Sequence, residues 1–431
     1  MSISSLRAGV ARRDITPPVT ARLPLWGFAG RNAPATGALD CLYARALVLR
    51  AEQGSVALVT LDLGRTFDIS MLEPLRNELQ ADAGFDAVLF TASHSHAGPD
   101  VRLRQFQSAP AEKWAQQALD EIRDAVLEAN ASATPVRIGF ATGRSWIGNN
   151  RRFLRPDGSV QMIARDSPKF RNLPIDTSVR VARLDTADGN PLAVLVHHSC
   201  HPVTLGAQNL MYSADWPGAM LQTIEEQAPG SPLAFFIQGA PGDINLMEPL
   251  GGKSGESERL AIGRSIGEEA ARVARSIQTA NCGPLRIQCN TCDFTFVNRW
   301  DFDRFMRSLD SDFRPLAEIF LDGFARVLTA RVNVIAIGDL WAWVTMPGEP
   351  FLAFQMRLAA ESPIANSWMV GFTDGYLGYF PTIRAAAEGG YGADGLETWV
   401  ELGAGERILD HALVTLYQMS GKLQDLPTRR M

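Results

Sequence analysis

Six histidines occur in a chain of 431 residues, and five of them fall in two short clusters. One is His94-Ser-His96; the other is His197-His198-Ser-Cys-His201. Imidazole binds zinc, copper, iron and nickel through a neutral ring nitrogen, and zinc commonly pairs it with a carboxylate. If a strand runs on through His94 and His96, both rings point to one face. His197 and His198 are adjacent, so a strand would turn them to opposite faces, and at least one suits a structural role. His201-Pro202 stands where a loop begins. Two such clusters in a histidine-poor chain point to a metal site. Its carboxylate is expected at Glu349, inside Met346-Pro-Gly-Glu349-Pro350. The competing reading places Glu349 at the N-terminal dipole of a helix starting near Phe351.

Other polar clusters carry weaker signals. Ser213 or Asp215 is expected to cap a helix with Pro217 in its first turn, while Asp215 could instead hold a ligating histidine. The glycine-rich run Gln238 to Asn245 lacks the Gly-Lys-Ser/Thr ending of a phosphate loop, and no Gly-x-Gly-x-x-Gly follows a strand, which excludes the usual nucleotide motifs. Tyr376, Tyr379 and Tyr391 sit among glycines; such tyrosines are turn aromatics, or else phenols that ligate a metal or donate to an oxyanion. Arg151, in Asn149-Asn-Arg-Arg152, is either solvated or grips a polar group of a substrate. Cys282, Cys289 and Cys292 have no second pair at zinc spacing and read as buried free thiols.

The elements that must position these groups follow one layout. Apolar runs at 56–61, 87–90, 192–196, 233–237, 332–337 and 340–345 each lead into a polar cluster. Helical periodicity covers 69–81, 111–129, 216–227, 257–280 and 352–362, and the segment 286–297 alternates like a strand. This predicts an α/β fold with a mixed sheet flanked by helices and a site at the strand ends. Turn-rich stretches at 31–37, 151–159 and 251–256 read as surface loops. Asp62, at the end of the first apolar run, reads as an ordinary strand exit. Trp341 and Trp343 read as core.

Composition narrows the function. Hydrophobic residues make up 46% of the chain, ample for a core. Forty-one basic against forty-seven acidic residues leave a charge of −6, which argues against nucleic acid or an anionic membrane as partner. No apolar run reaches the ~20 residues of a membrane span. The first residues lack a signal-peptide core and the five cysteines are odd in number, so a cytoplasmic protein is expected.

At this point the chain resembles the catalytic domain of the neutral, non-lysosomal ceramidases. Ala11-Arg-Arg-Asp-Ile-Thr16, Leu42-Tyr-Ala-Arg-Ala-Leu-Val48, Thr91-Ala-Ser-His-Ser-His-Ala-Gly-Pro99, Asn150-Arg151, Cys200-His-Pro202, Ser213-Ala-Asp215, Pro347-Gly-Glu349 and Gly378-Tyr-Phe-Pro-Thr382 with Glu388-Gly-Gly-Tyr391 are similar to the family's motifs, in the family's order. The resemblance implies a zinc amidase. Its Zn2+ ligands would be His94, His201, Glu349 and Tyr379; His96, Arg151 and Tyr391 would position the carbonyl and stabilise the tetrahedral intermediate. Asn245 stands where the family has a serine, and can hydrogen-bond but not act as that nucleophile. The family's export signal and immunoglobulin-like C-terminal domain have no counterpart here, so residues 1–431 are expected to form one catalytic domain. Both departures imply a small soluble substrate rather than ceramide. The expected reaction is hydrolysis of an amide C–N bond by a zinc-activated water, with His96 as proton shuttle. The alternatives are a zinc lactonase or esterase, a non-hydrolytic zinc lyase or isomerase, and a binding protein without turnover. Oligomeric state is left open.

Overall fold

The computed structural model describes residues 6–28, 30–162, 173–247, 255–300 and 325–423. Most of the expected turn at 251–256 lies outside them. The eight strands of the large sheet are β1 (Arg7–Asp14), β2 (Tyr43–Arg50), β3 (Ser55–Leu61), β4 (Ala87–Ala92), β5 (Thr134–Arg144), β6 (Ser178–Thr186), β7 (Pro191–His198) and β8 (Leu233–Gln238). Their spatial order is β8-β7-β6-β5-β1-β2-β3-β4. The pairs β3–β4 and β7–β8 are parallel and the others antiparallel. A second sheet has the order β9 (Ile287–Val297), β10 (Val327–Ile337), β11 (Trp341–Thr345), β12 (Ser367–Val370), with only β11–β12 parallel.

Side-chain alternation along these strands decides the layering. In β4, Val88, Phe90 and Ala92 face the helices α1 (Ile69–Ala83) and α2 (Ala109–Ala131). Ala87 and Leu89 face the second sheet. In β11, Trp341 and Trp343 point into the space between the sheets, and Ala342 and Val344 point away from it. The helices α3 (Asp215–Gln227) and α4 (Glu256–Ser276) cover the other half of the large sheet. The helices α5 (Leu352–Glu361) and α6 (Ala404–Met419) cover the outer face of the small one. The result is four layers: helices, sheet, sheet, helices. Strands covered on both faces explain the continuous apolar runs. The expected helices and strands are present, with ends shifted by a few residues. The second sheet was not foreseen as a separate layer. Trp341, Trp343 and Trp368 fill the gap between the sheets, edge to face, and are fully buried.

The large sheet's two edges come together. Gln238, ending β8, donates from Nε2 to Ser93 O beyond β4 at 3.1 Å. The segment after β12 bridges both edges: Gly371 N donates to Gln238 O, Ala92 N to Phe372 O, and Asp374 N to Phe90 O. This covers backbone groups that an edge strand would otherwise expose. It also brings the ends of β3, β4, β7, β8 and β11 to one place. Among the described residues no helix is long and apolar enough to cross a membrane.

His197 and His198 do face opposite ways. His197 packs on Trp368 and meets Met369 O at 2.9 Å; His198 lies by Trp216 and meets Ser178 O at 2.9 Å. Burial pulls His197 down from its ordinary 6.5 to about 3, and His198 is lowered for the same reason. A histidine depressed in this way is neutral in the folded chain while the unfolded chain takes up a proton below about pH 6.5. Stability is therefore complete above that pH and falls as pH drops from about 6.5 toward 3. Each such histidine contributes a slope of roughly 1.4 kcal/mol per pH unit. Denaturant unfolding across this window should show a shallower pH slope for His197→Gln than for the wild type.

Candidate metal centre

Strand β4 stops at Ala92, so His94 and His96 are not on a strand as the spacing suggested. His94 has a left-handed backbone, φ +68°, uncommon outside glycine. It is held there by His94 N donating to Leu63 O at 2.9 Å. The turn, not pleat alternation, makes the two rings converge. His94 Nε2 and His96 Nε2 are 3.1 Å apart, and ligand atoms of His94, His96 and His201 all lie within 4.8 Å of one another.

Two backbone carbonyls set the chemistry of the rings. His94 Nδ1 lies 2.7 Å from Gly64 O, and His201 Nδ1 lies 2.8 Å from Ile244 O. A carbonyl only accepts, so each Nδ1 carries a proton, and in the neutral ring each Nε2 presents a lone pair. Both lone pairs face Glu349: His201 Nε2 is 3.1 Å from Oε2, and His94 Nε2 is 3.7 Å from Oε1. Three acceptors thus converge in a buried space, an arrangement that suits a bound cation. Burial draws His94 down to about 4 and His96 well below its ordinary value, so both are neutral at pH 7. Burial alone would raise Glu349, but His94, which becomes charged only below about pH 4, together with His201 and Arg151 outweighs it and holds the carboxylate at about 2.

Glu349 reaches this place through a short parallel pairing in which Glu349 opposes Tyr379, with Glu349 N donating to Gly378 O at 2.9 Å. It does not cap α5. Asp243 does, its Oδ1 accepting Leu352 N at 2.7 Å. Tyr379 and Tyr391 meet edge to face at 5.5 Å, and the Arg151 guanidinium lies over both rings, at 5.2 and 4.8 Å. Arg151 is buried rather than solvated. It donates to Gly242 O at 2.5 Å, and its Nε has no partner among the described residues. Burial would lower Arg151, but Tyr379, Tyr391 and Glu349 raise it, so its charge is permanent. Tyr391 remains 41% exposed. Asn245 pairs with Asn149 through the backbone and accepts Leu246 N on Oδ1 at 3.1 Å.

Gly27, Phe28 and Arg31 form the seat of His96. Gly27, φ +104°, lies so close that an added Cβ would stand 2.4 Å from the imidazole. Phe28 meets the ring edge-on at 5.0 Å, and Arg31 donates to the carbonyls of Trp26 and His96.

Other expectations resolve as follows. Neither Ser213 nor Asp215 caps α3 by side chain from the N-cap position, which is Ala214. Asp215 accepts from Thr204 and Trp216 rather than holding a histidine, because Ile244 O already takes His201 Nδ1. Asp62 binds Arg45 and Tyr43 N, the structural role expected of it. No cysteine is in a disulfide, but Cys282, Cys289 and Cys292 are only half-buried, and the last two lie on β9, the outermost strand of its sheet. Three participants left no sequence signal. Gly64 O and Ile244 O are backbone atoms, and Phe372, stacked on His94 at 4.0 Å, looks like any core aromatic. Tyr376 was visible but not distinguishable from Tyr379; its hydroxyl donates to Glu349 Oε1 at 2.5 Å.

Fold and site together define a four-layer α/β protein with a histidine–carboxylate centre at its strand ends, suited to a metal. Residues 6–255 match the family described as neutral/alkaline non-lysosomal ceramidase, N-terminal, and the chain belongs to that family. It is 25% identical over 262 residues to neutral ceramidase A of Dictyostelium discoideum, covering 56% of this chain and 36% of that protein. Neutral ceramidase B of the same organism matches at 25% over 260 residues, with the same coverage. The matched stretch spans about a third of the length of these curated relatives. The crystal structure of neutral ceramidase from Pseudomonas aeruginosa superposes with a TM-score of 0.74 at 17% identity, covering 99% of this chain and 76% of that one. A ceramidase complexed with C2 gives 0.75 at 18% identity, covering 98% and 76%. These structures share the fold, and the chain has a ceramidase-family hydrolase fold.

Replacing His94 or His201 by alanine should lower affinity for a divalent metal ion by at least the 10–100-fold typical of losing even an outer partner of a ligand. Elemental analysis of purified variants after dialysis measures it; wild-type metal content in both variants would contradict the centre described above.

Proposed function

We propose that the chain is a zinc-dependent hydrolase that cleaves the C–N bond of a small soluble amide. One observation carries the reading: His94 and His201, each held by a backbone carbonyl, turn their Nε2 lone pairs onto the buried Glu349 carboxylate. The family name supports amide chemistry, since a ceramidase cleaves an amide. His94, His201 and Glu349 would hold the ion, with Tyr379, beside Glu349 in the pairing, as the fourth ligand that the resemblance implies. Zinc in such a site supplies Lewis acidity toward a carbonyl and makes water acidic near neutral pH.

The remaining steps fall to the side chains around it. Arg151, buried and permanently charged with an unpartnered Nε, holds the substrate carbonyl oxygen as negative charge grows there. Tyr391 donates from the partly exposed side of the same pocket. His96, neutral through burial, takes a proton at Nε2 and returns it to the leaving nitrogen. The C–N bond breaks, the acyl carbon keeps the oxygen of water, and the amine leaves protonated. Asn245, at the family's serine position, serves as a hydrogen-bonding group rather than a nucleophile.

The test is a panel of matched amides, esters and lactones with chelated and zinc-restored protein. Amide hydrolysis should dominate, products should together gain one water, and chelation should abolish turnover. Full activity in metal-free protein, or a clear preference for lactones, would refute the reading. Arg151→Gln should lower kcat about 100- to 1,000-fold, the cost of one oxyanion donor.

A further inference from the structure

Glu349 supplies the carboxylate of the centre, and its two oxygens stand in different surroundings. Oε2 faces His201 Nε2 at 3.1 Å. Oε1 accepts the Tyr376 hydroxyl at 2.5 Å and stays 3.7 Å from His94 Nε2. We propose that Tyr376 is the positioning residue of the metal centre: its hydroxyl occupies Oε1 and leaves Oε2 as the one carboxylate oxygen presented to the cation. This rests on the metal-binding reading above.

Three observations support it. An O–H to carboxylate bond of 2.5 Å is at the short, charge-assisted end of the range, stronger than a contact made by packing alone. Tyr376 is also held firmly enough to impose a direction. Trp26 and Trp399 meet its ring edge-on at 5.3 and 5.7 Å, and Phe372 lies parallel to it within 15°. Its backbone neighbours are anchored, Gly375 N to Thr66 Oγ1 at 3.1 Å and Leu377 N to Pro347 O at 2.8 Å. The second of these ties Tyr376 to the turn that carries Glu349. Lastly, Phe372 stacks on His94 as well, at 4.0 Å and 18°. The Phe372–Tyr376 segment therefore orients His94 by contact and Glu349 by a hydrogen bond. A carboxylate bound through one oxygen takes up one coordination position rather than two, and so leaves room for a substrate oxygen.

The experiment compares metal-stripped wild type, Tyr376→Phe and Trp399→Phe, with Zn2+ affinity read by calorimetric titration. Phenylalanine keeps the ring and loses only the hydroxyl. Tyr376→Phe should bind zinc roughly tenfold or more weakly, while its metal-free form unfolds at the wild-type temperature. Its Co2+-loaded form should show an altered visible spectrum, reporting a changed ligand set. Trp399→Phe keeps an aromatic edge against Tyr376 and leaves the Tyr376 hydroxyl in place, so it should bind zinc like the wild type. Equal zinc affinity in Tyr376→Phe, or an equal loss in Trp399→Phe, would overturn the proposal and leave the metal centre standing. A wild type that binds no zinc would overturn both.

Discussion

Everything at the centre depends on two hydrogen bonds from imidazole to backbone carbonyl. His94 to Gly64 O and His201 to Ile244 O decide which nitrogen of each ring carries a proton. In the neutral rings the inner nitrogens accept, and they face an ionised carboxylate. The burial of that carboxylate would be costly without positive charge nearby. Arg151 supplies part of it from a cage of tyrosine faces and a carbonyl. A divalent ion would supply the rest.

The carbonyls are in place because the large sheet brings its own edges together. Gly64 follows β3, Ile244 lies beyond β8, and the two strands sit near opposite edges of an eight-stranded sheet. The Gly371–Asp374 segment links β4 to β8, and in doing so lays Phe372 against His94. Left-handed backbone at His94, Phe372 and Asp374 marks where the chain is forced by these constraints. Strain of this kind persists when the surrounding structure over-determines it. Here the surroundings are the sheet ends, the stacked rings and the buried bond from Arg76 to Asp374.

Much of the architecture was legible in the sequence. Runs such as Val56–Leu61 and Ala87–Phe90 read as buried strands because strands covered on both faces carry no polar alternation. The helices read from their periodicity. What did not read was the second sheet as a separate layer: β9 to β12 look like further strands of one sheet. Whether strands pair or stack depends on where chain reversals send them, and no local pattern records that. The histidine clusters were conspicuous because the residue is rare here. The geometry inferred for them was not right, since His-x-His was read as a pleat and is a left-handed turn.

The sequence by itself determined the chemical inventory and its approximate address: imidazoles, one carboxylate between prolines, phenols among glycines, all after apolar runs. It also determined the family, through ordered motifs that no single residue conveys. Only the tertiary structure decided which groups meet. It separated His197 and His198, which bind Met369 O and Ser178 O, from the three histidines of the centre. It gave Tyr376 its bond to Glu349 and Arg151 its place over Tyr379 and Tyr391. The physical reason is that the deciding partners are backbone carbonyls and ring faces. Every residue has a carbonyl and every core has aromatic faces, so their identity carries no signal until folding brings particular ones within hydrogen-bonding or stacking distance.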